Sequence, residues 1–191
     1  MRVILASASP RRIELLKQFH MPFDVIPSKI DEPVGEKESP TQIVMGLALE
    51  KALDISKNNH DALVIASDTV VYFERILGKP KSREAARDML KALSGKKHEV
   101  YTGIALVNVA SNRKIVDYVC TEVTFNDLSD AEIEVYLNTG EAYDKAGAYG
   151  IQGFGALLVS EIKGDYFNVM GLPLSKLNSM LKSHFQLDLL V

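Results

Sequence analysis

The run Ala62-Leu63-Val64-Ile65-Ala66 sets the strongest limit on what this chain can become. Five consecutive apolar residues leave no polar face, and a strand of that kind belongs in the middle of a sheet covered on both sides. A helical pattern precedes it. Ser39-Pro40 supplies an N-cap and a first-turn proline, and Ile43, Val44, Leu47, Ala48, Leu53 and Ile55 form the apolar set of a helix reaching to residue 57.

The start of the chain carries the same N-cap and first-turn proline signal. Val3-Ile4-Leu5-Ala6 reads as a strand leading into Ser7-Ala8-Ser9-Pro10-Arg11-Arg12, with Ser9 as N-cap, Pro10 as first helical residue, and Ile13, Leu15, Leu16 and Phe19 as the apolar face beyond. The two arginines are anomalous there, because a helix N-terminus is partly positive and favours Asp or Glu. Backbone N–H groups, two hydroxyls and two guanidinium forks make a phosphate site, and the carboxyl end of a strand is where open α/β sheets bind ligands. Two solvated surface arginines are the alternative reading of the same residues.

Further elements follow in alternation. Phe23-Asp24-Val25-Ile26 reads as a strand and precedes an acidic loop with Asp31, Glu32, Glu36 and Glu38. The apolar run stops at Ser67-Asp68-Thr69, after which residues 70–73 and 76–77 form a hairpin leading into Gly78-Lys79-Pro80. Residues 82–93 are helical, 99–109 and 114–125 are long strands joined at Ser111-Asn112, and Ser129 with Glu132 is a capping box for a helix closed by Gly140. A glycine-rich loop over 147–155, a strand over 156–162, the turn Gly164-Asp165 and a helix after Pro173 complete the chain. Helices alternating with strands and hairpins predict a mixed α/β sheet. With 191 residues and no linker at which to divide them, a single domain over 1–191 is expected.

Charge and cysteine content exclude several classes. Lys and Arg number 22 against 25 for Asp and Glu, a net charge of −3, so broad electrostatic binding to nucleic acid or anionic membrane is not expected and any cationic site must be local. The single cysteine, Cys120, permits no intramolecular disulfide and suits a reducing cytoplasm. No stretch approaches the roughly 18 apolar residues of a membrane span. The four histidines are scattered, and phosphate-loop, dinucleotide, nucleophile-elbow and His-Glu-x-x-His motifs are missing.

Four positions could carry chemistry. Asp68 follows the most apolar strand between two hydroxyl residues, suiting it to hold a metal or act as a base, or else to make the local turn hydrogen bonds common for such residues at strand ends. Lys51 falls on the helix face between Val44, Leu47 and Ile55, where it either snorkels to water or serves as a phosphate ligand. Lys79 is held between a glycine and a proline, which is also simple turn chemistry. Gln152 lies among four glycines in nine residues, in a loop that either admits a ligand close to the backbone or is a tight connection; its amide could read a base edge.

Taken in order, Ser7-Ala8-Ser9-Pro10-Arg11-Arg12, Ser67-Asp68-Thr69, Gly78-Lys79-Pro80, Leu93-Ser94-Gly95, Asp144 to Gly153, Gly164-Asp165-Tyr166 and Val169-Met170-Gly171-Leu172-Pro173 resemble the Maf family of nucleoside triphosphate pyrophosphatases. The resemblance implies an elongated, largely antiparallel α/β fold of Maf/ITPase type, with two lobes around a central cleft. It implies cleavage between the α- and β-phosphates with help from Mg²⁺ or Mn²⁺. Asp68 matches the family's proton acceptor; Ser7, Arg11, Lys51 and Lys79 match its phosphate-binding set; Asp68 and Glu32 match its metal positions. Arg12, Thr69 and Gln152 match the specificity positions of the branch acting on dTTP, UTP and modified pyrimidine triphosphates. The branch acting on 7-methyl-GTP has a tryptophan near the second arginine, and this chain has none. The resemblance further implies a homodimer and a link to septum formation, so a non-catalytic nucleotide-binding regulator of division is the alternative function.

Overall fold

A computed structural model describes residues 1–30 and 38–191. Among the described residues, seven strands, β1 (Val3–Leu5), β2 (Asp24–Val25), β3 (Leu63–Phe73), β4 (Arg75–Leu77), β5 (Lys97–Asn108), β6 (Arg113–Phe125) and β7 (Val159–Lys163), form one sheet ordered β2-β1-β3-β5-β6-β7, with β4 paired to β3. Pairing is parallel for β1 with β2 and β3, and antiparallel for β3 with β4 and β6 with β7. The helices are α1 (Pro10–Lys17), α2 (Pro40–Ser56), α3 (Arg83–Leu93), α4 (Asp130–Asn138), α5 (Tyr166–Met170) and α6 (Leu174–Phe185). The mixed α/β architecture expected from the alternation is present. No helix among the described residues is long and apolar enough to cross a membrane.

Several helix starts obey the local rules read from the sequence. Ser39 and Gln42 form a reciprocal capping box at α2, and Ser129 and Glu132 do so at α4. Ser9 occupies the N-cap of α1 with Pro10 following, yet among the described residues its hydroxyl caps nothing. The Ser7 hydroxyl instead accepts the Ser9 N–H at 3.2 Å.

The largest departure from expectation is in β3. The strand does not stop at Ser67-Asp68-Thr69 but runs unbroken from Leu63 to Phe73. Ser67 and Asp68 are buried, and their side chains bond to partners distant in sequence, so neither needs the local turn that such residues otherwise favour. The expected strand over 156–162, by contrast, is shorter. Residues Gly153–Leu158 form a 3₁₀ turn before β7, and the sequence reading did not foresee α5.

The described chain resolves into two compact units. The first comprises Met1–Asp68, Thr102–Val119 and Gly171–Val191; the second comprises Thr69–Tyr101 and Cys120–Met170. In the first, Ala48, Ala52 and Ile55 of α2 pack on Ile4, Ala6, Val64, Ala66, Ala105 and Val107. Small alanines bring the helix close to the strands. Gly103 of β5 is required by that approach, since a Cβ there would lie 2.2 Å from the Val44 carbonyl oxygen. In the second, Leu90 and Leu93 of α3, Ile133 and Leu137 of α4 and Val123 and Phe125 of β6 belong to a separate apolar cluster.

Candidate active site

The packing of α2 turns Lys51 inward. It is 9% exposed, and its Nζ lies 2.5 Å from Oδ1 of Asp68, which is itself 6% exposed. The snorkelling expected of a lysine in an apolar arc does not occur. An isolated charge in either position would be severely penalised, and each side chain supplies the counter-charge the other requires. The alternative of a purely local turn role for Asp68 is likewise set aside by this long-range bond.

The backbone leading to Asp68 is held from α1. Arg12 donates from Nη1 to the Ser67 carbonyl at 2.7 Å and from Nε to the Gly171 carbonyl at 2.8 Å. The Ser67 hydroxyl donates to the same Gly171 oxygen at 3.0 Å. Gly171 has φ of +100°, a backbone conformation that favours glycine. Arg12 is therefore a fork joining two backbone segments, one residue from the buried carboxylate. Arg11 is half-buried beside it in a first turn with no acidic residue, and Ser7 is buried at the end of β1.

Ser7, Arg11, Arg12, Lys51 and Asp68 all belong to the first unit. Thr69, Lys79 and Gln152 belong to the second. Thr69 is half-buried in β3, and Lys79 and Gln152 are exposed. The Gly78 carbonyl, next to Lys79, accepts the Gly147 N–H at 3.1 Å, which ties the Lys79 turn to the glycine-rich loop. Gln152 stands at the N-cap of the 3₁₀ turn Gly153–Leu158. Glu32 lies outside the described residues, so its expected metal role has no geometry here.

Two residues that the sequence reading did not single out take part in this architecture. Ser67 anchors the strand through its hydroxyl, and Glu141 accepts the N–H groups of Phe154 and Gly155. The signal for Ser67 was its place beside Asp68 in an apolar strand. Glu141 carried no local signal, because its partners lie 13 and 14 residues onward.

Among the described residues no group of three His, Cys, Asp or Glu side chains could hold a metal. A single buried carboxylate suits an ion of the Mg²⁺ type, which commonly uses one or two carboxylates plus substrate phosphates rather than a cage of protein ligands.

The model of the Maf-like protein family matches residues 2–184. A dTTP/UTP pyrophosphatase of Clostridioides difficile is 53% identical over 190 residues, covering 99% of this chain and 98% of its own. One of the same name from Alkaliphilus metalliredigens is 50% identical over 190 residues, covering 99% of each. Among solved structures, a HAM1 protein from Coxiella burnetii matches with a TM-score of 0.53 at 15% identity, over 96% of this chain and 99% of that one, which is a likeness of fold.

Proposed function

The chain belongs to the Maf family, and from that premise we propose that it is a nucleoside triphosphate pyrophosphatase that converts dTTP and UTP, and modified pyrimidine triphosphates, to the monophosphate and pyrophosphate. The observation carrying the reading is the buried Lys51–Asp68 pair, one residue beyond the carbonyl gripped by Arg12. It supports placing an ionised carboxylate and several cations together, as hydrolysis of a polyanion demands.

Asp68 accepts the proton of the attacking water. A carboxylate has about four lone-pair sites, and Lys51 draws on Oδ1. Lys51 orients that carboxylate and adds positive charge near the phosphates. Ser7, Arg11 and Lys79 bind phosphate oxygens, the arginine by its two-pronged fork. Arg12, Thr69 and Gln152 set which base is accepted. A site built to hydrogen-bond one base rejects another by leaving polar groups unpaired. Asp68, with Glu32, would hold a divalent cation of the Mg²⁺ or Mn²⁺ type. Such an ion, when bound, neutralises charge on phosphoryl oxygens.

The test is pyrophosphate release from dTTP, UTP, CTP and 7-methyl-GTP, with and without Mg²⁺ or Mn²⁺. Release from dTTP and UTP in the presence of metal is expected, with turnover nearly abolished and nucleotide binding retained in Asp68→Asn. Binding without release in the wild type would instead identify a non-catalytic nucleotide-binding regulator, and full turnover in Asp68→Asn would remove Asp68 from the mechanism.

A further inference from the structure

The second unit contains a carboxylate that the proposed chemistry does not use. Glu141 follows α4 and accepts the Phe154 N–H on Oε1 at 3.2 Å and the Gly155 N–H on Oε2 at 3.3 Å. These are among the first N–H groups of the 3₁₀ turn Gly153–Leu158, whose N-cap residue is Gln152. A Ser, Thr, Asp or Asn at the N-cap satisfies such groups itself, whereas Gln seldom does. Here the Gln152 side chain makes no cap hydrogen bond, and Glu141 does that work from 11 positions earlier in the chain.

The surrounding loop is built around this contact. Gly153 has φ of +60°, and a Cβ on it would lie 2.5 Å from Oε1 of Glu141. Gly155 rests on the Gly150 carbonyl, which a Cβ would approach to 2.0 Å. Lys145 donates to the Glu141 carbonyl at 2.5 Å and to Asp144 Oδ1 at 2.6 Å, while its stem lies beneath Gly150. Both ends of the segment 150–155 are therefore held against Glu141 and Lys145. Between them Ile151 is buried and Gln152 is exposed.

We propose that Glu141 is a positioning residue for base selection: by capping the turn after Gln152 it fixes that backbone and leaves the Gln152 amide to face a nucleobase edge. A carboxylate suits the task because it accepts two N–H groups at once at the positive end of a turn. The inference rests on the reading of Gln152 as a specificity residue.

The test is the ratio of kcat/KM for UTP to that for CTP in the wild type, Gln152→Ala, Glu141→Ala, Glu141→Gln and the Glu141→Ala/Gln152→Ala double variant. Loss of the Gln152 amide is expected to shrink the ratio by about tenfold or more. Glu141→Ala should shrink it comparably, chiefly through a higher KM for UTP. The double variant should match Gln152→Ala, and Glu141→Gln, with one acceptor oxygen left, should fall between wild type and Glu141→Ala. Should Glu141→Ala fail to fold, Glu141→Gln supplies the same comparison. A wild-type ratio in the Glu141 variants beside a lost ratio in Gln152→Ala overturns the role of Glu141 alone, as does a uniform drop in kcat for both nucleotides. A wild-type ratio in Gln152→Ala overturns the reading of Gln152, and this inference with it.

Discussion

Lys51 and Asp68 each occupy a position whose polarity conflicts with its apolar neighbours, and each offsets that conflict for the other. Their 2.5 Å contact is buried, so removing one partner deprives the other of a buried counter-charge, a loss of about 3–5 kcal/mol. Lys51→Met is expected to lose stability on that scale. Asp68→Asn keeps an acceptor oxygen for Lys51 and should lose less, although it is the variant that ends turnover. Urea unfolding at pH 7 beside a pyrophosphate assay checks the opposite ranking, and equal stability of the two variants would refute it. Each residue was visible in the sequence as a polar group in an apolar setting, but their pairing was not. It depends on α2 settling against the strands, which requires Gly103 of β5, more than 50 positions away from Lys51.

Among the elements, those governed by local chemistry were legible. Ser39 with Gln42 and Ser129 with Glu132 cap their helices within four residues, and the short turn at Glu74, with φ of +56°, lies where the hairpin was read. Elements decided by tertiary bonds were not: β3 passes through Ser67-Asp68-Thr69, and residues 156–158, read as strand, belong to a 3₁₀ turn whose first N–H groups bond to Glu141. His98 of β5 shows the same dependence. Its Nε2 lies 2.7 Å from the Tyr149 hydroxyl, its ring meets Phe125 edge-on at 5.0 Å, and its Nδ1 has no partner among the described residues. Burial lowers its pKa from 6.5 to about 4, since a charged ring would add an unpaired buried N–H. The unfolded chain therefore binds a proton between pH 6.5 and 4 that the folded chain refuses, and stability falls as pH drops through that window, by about 3 kcal/mol in all. Urea midpoints from pH 7 to pH 4 should fall more steeply in the wild type than in His98→Gln. Parallel profiles would exclude the histidine as the cause.

At the scale of the whole molecule, a net charge of −3 would repel a nucleoside triphosphate, whereas the proposed site relies on cations concentrated in a few positions such as Arg11 and Arg12. Salt distinguishes which of the two fields the substrate encounters. The screening length shrinks from about 10 Å at 0.1 M to about 3 Å at 1 M. If repulsion by the net charge controlled encounter, added salt would raise kcat/KM for UTP. If local cations control it, the same salt lowers kcat/KM, with an expected fall of about tenfold between 0.05 and 0.5 M KCl at fixed free Mg²⁺. Glu141→Gln should show the same salt slope as the wild type, because Glu141 acts on the backbone after Gln152 and not on the phosphates. Steady-state kinetics across that salt range decide the matter: a rise with salt would place the controlling field in the whole chain rather than in its phosphate-binding residues.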